Sequence, residues 1–187
     1  MVTIESKFIG DFKLGDNICH NLKIADVLYD RFEDSDADDR RLLCKPIIVL
    51  LASVIEAVLY DFHKRVKTFT IEGVKNLTVD AIDYIRLAAI DDFAKYIDSA
   101  KKQKLFGGAD SPFYVQMHDI RKLRNRVHIQ NERKYTPRDE FNAFTIEAKV
   151  LTERVLEKTL TTLAANFARD QDFVEDFILP WNAHFPV

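Results

Sequence analysis

The chain has 187 residues, enough for one domain with a substantial core, and its 47% apolar and 30% charged content is ordinary globular composition. Only 5 Gly and 5 Pro leave little turn chemistry, which argues against many short strands and favours long helices, so the expected class is all-α. A formal net charge of −3 argues against a chain that holds nucleic acid through its overall charge.

The elements are expected to form a single α-helical domain over 1–187, with an N-terminal arm (1–20), a helical body (21–169) and a docking tail (170–187). Met1 to Asn17 alternates loosely between apolar and polar residues, broken by Gly10 and Gly15, which predicts an irregular arm or a small hairpin. Leu22, Ile24, Ala25, Leu28 and Phe32 then give a short amphipathic helix from about Asn21, ending in the acidic run Glu33 to Asp39.

The next helix is expected from about Asp39 to Lys67, with Pro46 either kinking it or marking where its regular part begins. It is apolar nearly all round from Ile47 to Leu59, the pattern of a central buried helix. That run is interrupted by Ser53 and Glu56 and falls short of the roughly 20 residues of a membrane span, so no membrane association is expected. Glu56 is its anomaly: the carboxylate either faces an edge or pairs with a cation.

Thr78 to Lys104 reads as one helix or two, with Thr78 or Asp80 as cap. Gly107-Gly108 closes that segment, and Asp110 or Ser111 before Pro112 is a cap-plus-first-turn signal for the following helix. Thr136-Pro137-Arg138-Asp139 carries the same signature and predicts the start of a long final helix running to about Ala168. The tail from Asp170 carries Phe173, Phe177, Trp181 and Phe185 and is expected to dock as a short helix and an extended strap, or to cover a subunit interface.

The helix after Pro112 is the chemically interesting one. His118, Arg121, Asn125 and His128 fall at i, i+3, i+7 and i+10, so a continuous helix would carry all four on one face, with Arg124 beside them. Val115, Leu123, Val127 and Ile129 would then attach it to the core. Burying Arg, Asn and His without hydrogen bonds is costly. Such a stripe is therefore either a used site or a solvated face. From Arg121 to Arg138 there are seven bases against one acid, a local +6 that leaves −9 on the rest. Arg126, Lys122, Arg133 and Lys134 in this patch are candidate RNA or phosphate contacts. The patch could equally pair with an acidic surface.

Several chemistries lack support. Gly107-Gly108 is followed by neither a third glycine nor Lys-Ser/Thr, so it is no phosphate loop. His118 and His128 are ten residues apart among cations, unfavourable for a divalent metal, and no metal site or cofactor is expected. His20, His63 and His184 stand alone. Cys19 and Cys44 match no metal or redox spacing, and no apolar signal sequence opens the chain, so a reduced, cytoplasmic protein is expected. What remains is an Arg-His site without metal. Neighbouring positive charge pushes a histidine toward its neutral form, which can act as general base on a 2′-hydroxyl while arginines clamp the phosphate. A two-fold dimer pairing two such helices would double the site.

The segment Arg121-Lys-Leu-Arg-Asn-Arg-Val-His128 resembles the Arg-x4–6-His signature of the HEPN superfamily (higher eukaryotes and prokaryotes nucleotide-binding domain). Arg121 and His128 have six residues between them, and Arg124-Asn125 resembles the family's frequent Arg-Asn pair, so either Arg121 or Arg124 fills the signature role. Ser53-Val-Ile-Glu56 within an apolar helix, followed by the motif helix and a long final helix, is similar to the family's order. The resemblance implies a HEPN-like up-and-down bundle of four to five helices, a homodimer with motif helices facing each other, and an RNA substrate. It implies a metal-independent endoribonuclease of a toxin–antitoxin, phage-defence or RNA-processing system, with an antitoxin or other protein partner. On that reading His128 is the general base or acid, Arg121 and Arg124 hold phosphate, Asn125 orients them, and His118 and Glu56 are accessory. The superfamily also contains non-catalytic RNA-, nucleotide- or protein-binding modules, and a third reading makes Arg121, Arg124 and Glu56 an internal ion network.

Overall fold

The computed structural model describes residues 1–127, 139–170 and 173–185, with the backbone alone at Glu72. Among these, the chain forms seven α-helices: α1 (Phe12–Glu33), α2 (Ala37–Thr68), α3 (Val79–Leu87), α4 (Phe93–Lys102), α5 (Pro112–Arg124), α6 (Glu140–Ala143) and α7 (Ile146–Phe167). Among the described residues one two-stranded ribbon pairs β1 (Val2–Ile4) antiparallel with β2 (Phe177–Leu179). The helical class matches the composition, and the helices are more numerous than the four to five expected.

The core is organised around α2, which packs against α1, α3, α4, α5 and α7. Ile47, Ile48, Leu51, Ile55, Val58 and Leu59 are fully buried. By length and composition α2 could cross a membrane, but half of its apolar stretch is buried inside the bundle, the position of a core helix. Asp36 starts it three residues before the predicted boundary, accepting hydrogen bonds from the amides of Asp38 and Asp39. The acidic run thus serves as a helix cap whose neighbouring carboxylates sit at the positive end of the dipole. Pro46 lies inside the helix.

Three readings of the N-terminal region depart from expectation. Residues 12–20 are helical rather than part of an irregular arm: Asp11 caps α1 by accepting from the Leu14 amide. Gly15, read as a break, is instead a close-packing position, where a Cβ would come within 2.5 Å of Val174. The N-terminal segment makes no hairpin; β1 reaches across to the other end of the chain. Of the two arrangements open to the 78–104 segment the chain takes two helices, α3 capped by Thr78 and α4 capped by Asp92.

The long final helix starts at Ile146, where Thr145 accepts from the Ala148 amide. The Thr136-Pro137-Arg138 signal lies outside the described residues. The short α6 precedes α7 and docks on α2 through Arg41, which bonds the Phe141 carbonyl, and Lys45, which pairs with Glu140 at 2.6 Å. The described tail is extended, with no helix. Its Phe177 and Trp181 enter the core, while Phe173 and Phe185 stay partly exposed.

Candidate functional site

Ser111 caps α5 and Pro112 occupies its first turn, where a missing N–H costs nothing. Phe113, Tyr114, Met117 and Ile120 bury α5 in the core. These, rather than Val115 and Val127, attach the helix; Val115 and Val127 are exposed and Leu123 is half-buried. Ile129 lies outside the described residues. Tyr114 fixes the preceding turn, accepting from the Phe106 amide and donating to the Gly107 carbonyl, both at 3.1 Å. Gly107 has φ +115, a conformation open to glycine and strained for other residues.

The α-helix ends at Arg124 and tightens into a 3-10 turn over Asn125–Val127. The single continuous face that the spacing suggested is therefore broken within the motif, because three residues per turn rotate the following side chains away from the α-helical register. His128, Arg133 and Lys134 lie outside the described residues.

Among the described motif residues, the clearest cross-helix contact is an ion pair between Arg124 and Glu56 of α2. The pair is neither buried nor free: 35% of the Arg124 side chain and 23% of the Glu56 side chain are exposed. Burial pushes the Glu56 carboxyl pKa upward and the Arg124 charge opposes that shift. Of the two positions open to Glu56, the structure has the cation-paired one. Arg124 Nη1 also lies 3.3 Å from the Asn125 side-chain oxygen, a contact at the long end of hydrogen bonding.

Arg121, one turn earlier, is half-buried, and its Nε is enclosed without a hydrogen-bond partner among the described residues. Arg126 is buried, so it is not displayed on the surface as a phosphate contact would be. Lys122 is exposed and pairs with Asp119 at 2.8 Å. His118 faces Asp98 of α4 at 3.1 Å. The positive charge summed from sequence is thus partly neutralised locally by Glu56 and Asp119.

Two polar centres escaped the sequence reading. In the first, Glu153 of α7 accepts from Tyr29 at 2.6 Å, Lys149 at 2.5 Å and His184 at 2.8 Å. Glu157, one turn on, accepts from the Trp181 indole and the His184 amide, both at 3.0 Å. Burial and the Glu153 charge push the Tyr29 hydroxyl pKa up. This centre fastens the tail to the bundle. Its signal was the i, i+4, i+8 spacing of Lys149, Glu153 and Glu157 inside an apolar stripe.

In the second centre, Asp61 accepts from the Gly10 and Asp11 amides at 2.8 and 3.0 Å, and Arg65 donates to the Phe8 and Phe167 carbonyls at 2.7 and 2.9 Å. Both side chains lie on the last turns of α2, beyond the apolar run from Ile47 to Leu59. Among the described residues no group of three His, Cys, Asp or Glu side chains is placed to hold a metal ion. No protein-family model matches the sequence, and no curated protein or solved structure matches it.

Proposed function

We propose that this protein is a HEPN-like, metal-independent endoribonuclease of the toxin–antitoxin or phage-defence kind, acting in the cytoplasm as a homodimer with the motif segments facing a shared cleft. The observation that carries this reading is the partly exposed Arg124–Glu56 ion pair at the end of α5. A carboxylate on one side of a guanidinium fixes its plane and leaves its other donors for a phosphate. A fully enclosed ion pair would leave no donor within reach of a ligand, whereas about a third of the Arg124 side chain stays exposed. In the reaction His128 takes the 2′-hydroxyl proton, the 2′-oxygen bonds to the adjacent phosphorus to give a 2′,3′-cyclic phosphate, and the P–O5′ bond breaks, the leaving 5′-oxygen taking a proton from water. Arg121 and Arg124 hold the scissile phosphate, and Asn125 and Glu56 keep Arg124 in place.

The test incubates the purified protein and its His128→Ala, Arg121→Ala and Arg124→Ala variants with mixed RNA in EDTA, alongside sedimentation to establish oligomeric state. Cleavage that survives EDTA and falls by about 100-fold or more in His128→Ala is expected. Equal inertness of all four proteins removes the enzymatic reading. RNA retention without cleavage assigns the chain to the non-catalytic binding modules instead.

A further inference from the structure

Beyond Glu56 the same face of α2 runs on into an aromatic recess. Glu56, Tyr60, Lys64 and Lys67 follow at i, i+4, i+8 and i+11, so successive members lie about one helical turn apart. A cavity of about 220 Å³ opens there, and Tyr60, His63, Lys67, Ile90 and Tyr96 are among the residues that line it. It therefore starts one turn, about 6 Å, from the carboxylate that holds Arg124.

The walls are rings. Tyr60 and Tyr96 meet edge to face with centroids 6.2 Å apart, and the His63 ring lies 5.2 Å from that of Tyr96. Tyr60 is 41% exposed. Lys64 Nζ stands 5.7 Å from its ring centre, at the outer limit of cation–π contact, and leaves the ring uncovered. An exposed tyrosine by itself is ordinary surface. Tyr96 makes this one specific. It is 6% exposed, and its hydroxyl makes no hydrogen bond among the described residues although the oxygen is not enclosed. The hydroxyl therefore opens into the cavity without a protein partner, an arrangement that costs free energy until something bonds to it. Burial, then Tyr60, Glu56, Asp91 and Asp92, push its pKa up, so it stays a donor at neutral pH.

Charge does not select the ligand. Lys64 pairs with Asp11 at 2.8 Å and Lys95 with Asp91 at 2.6 Å. Lys67 donates to the Ala88 carbonyl at 3.2 Å, and the carbonyl end of α2 adds partial negative charge. A phosphate would find no surplus cation in the recess. A flat neutral ring with an acceptor on its edge fits, because it can stack on Tyr60 and accept from Tyr96. The volume lies below the roughly 300 Å³ at which sites for drug-sized ligands begin, which leaves room for one such ring system.

We propose that this recess is the base subsite of the ribonuclease centre: it takes one unstacked base of single-stranded RNA, with Tyr60 as the stacking platform and Tyr96 Oη as donor to the base edge. The inference rests on the ribonuclease reading, which supplies the neighbouring phosphate at Arg124. Proteins hold splayed bases of single strands on aromatic side chains in this way. The division of labour follows from the charges: Arg121 and Arg124 take the backbone, and the near-neutral recess takes the base.

The test measures, by fluorescence anisotropy in EDTA, binding of short oligoadenylate and oligouridylate strands and of a matching abasic strand to the full chain carrying His128→Ala. Adding Tyr60→Ala should weaken the base-bearing strands by about tenfold or more, and Tyr60→Phe by less than about twofold. Neither should alter affinity for the abasic strand. Tyr96→Phe keeps the ring, deletes the hydroxyl and should weaken the base-bearing strands about threefold or more without lowering the thermal unfolding temperature. Thermal unfolding also establishes that each variant is folded. With His128 intact, Tyr60→Ala should raise KM for cleavage and leave kcat little changed. Equal binding of oligoadenylate with and without Tyr60→Ala, an equal loss for the abasic strand, or no binding of any strand overturns the proposal. Cleavage by the wild-type chain with the same KM in Tyr60→Ala keeps the nuclease and removes the subsite. Tyr60-dependent binding by a wild-type chain that cleaves no RNA keeps the base site and removes the nuclease.

Discussion

Replacing Glu153 by Leu keeps the side chain close to its original size while removing a carboxylate shared by three donors. Lys149 and Glu153 are 6% and 3% exposed, so the lysine left behind has no water to replace its partner. The rings of Tyr29 and Phe32 lie 4.6 and 4.5 Å from the Lys149 ammonium. Each such contact contributes only about 0.5–2 kcal/mol, too little to offset an unpaired buried charge. Removing one partner of a buried pair costs about 3–5 kcal/mol, a large share of the roughly 5–15 kcal/mol that stabilises a domain. Equilibrium urea unfolding, followed by circular dichroism and by the fluorescence of the single tryptophan, measures this loss. The double variant Glu153→Leu with Lys149→Met should recover much of it, because an apolar pair of similar volume is commonly neutral or stabilising in place of a buried ion pair. A loss below about 1 kcal/mol in the single variant, or no recovery in the double, would refute the reasoning.

Two further predictions concern positions outside the Arg/His motif. His63 is 2% exposed, donates from Nδ1 to the Leu59 carbonyl at 2.7 Å, and has its pKa lowered by burial to about 4 from 6.5. The unfolded chain therefore binds a proton before the folded one does. Its contribution is fully present above about pH 6.5 and is lost as pH falls toward 4. The loss amounts to about 3 kcal/mol, and the stability slope over that window should flatten in His63→Phe when both proteins are unfolded in urea at a series of pH values. Gly15→Ala should destabilise by about 1–3 kcal/mol although alanine is the better helix former, because the new Cβ meets both Val174 methyls at 2.5 and 2.7 Å. Adding Val174→Ala to it should recover stability, as read from the urea midpoints; a Gly15→Ala protein more stable than the parent would show that the tail yields freely.

Periodicity made the central helix legible because its signal is local: an apolar run from Ile47 to Leu59 has nowhere to go but inside. The Ser111-Pro112 start of α5 was legible for the same reason, since capping is decided within a few residues. What escaped were features set by distant partners. Gly15 looks like a helix breaker until Val174 is brought against it, and β1 looks like an arm until β2 returns from the far end of the chain. Asp61, Arg65 and Glu153 are charges that only a folded chain can satisfy, with donors or acceptors up to 124 residues away for Glu153. Spacing also overextended one element: four polar residues in helical register suggested one face, whereas the chain changes to a tighter turn at Asn125.

That turn bears on which arginine leads the motif. Arg124 is the last residue of regular helix and is tied sideways to Glu56. Arg121 lies one turn back, and no carboxylate pairs with it among the described residues. A carboxylate cancels part of a guanidinium's field while fixing its direction. The two arginines are therefore not interchangeable in the proposed reaction. Arg124 supplies direction at reduced charge, and Arg121 supplies the undiminished charge that a developing dianionic phosphate needs. Sequence spacing treats them as rivals for one role; in the proposed reaction the Glu56 contact would make them complementary, through a residue on α2 that lies 65 positions before Arg121.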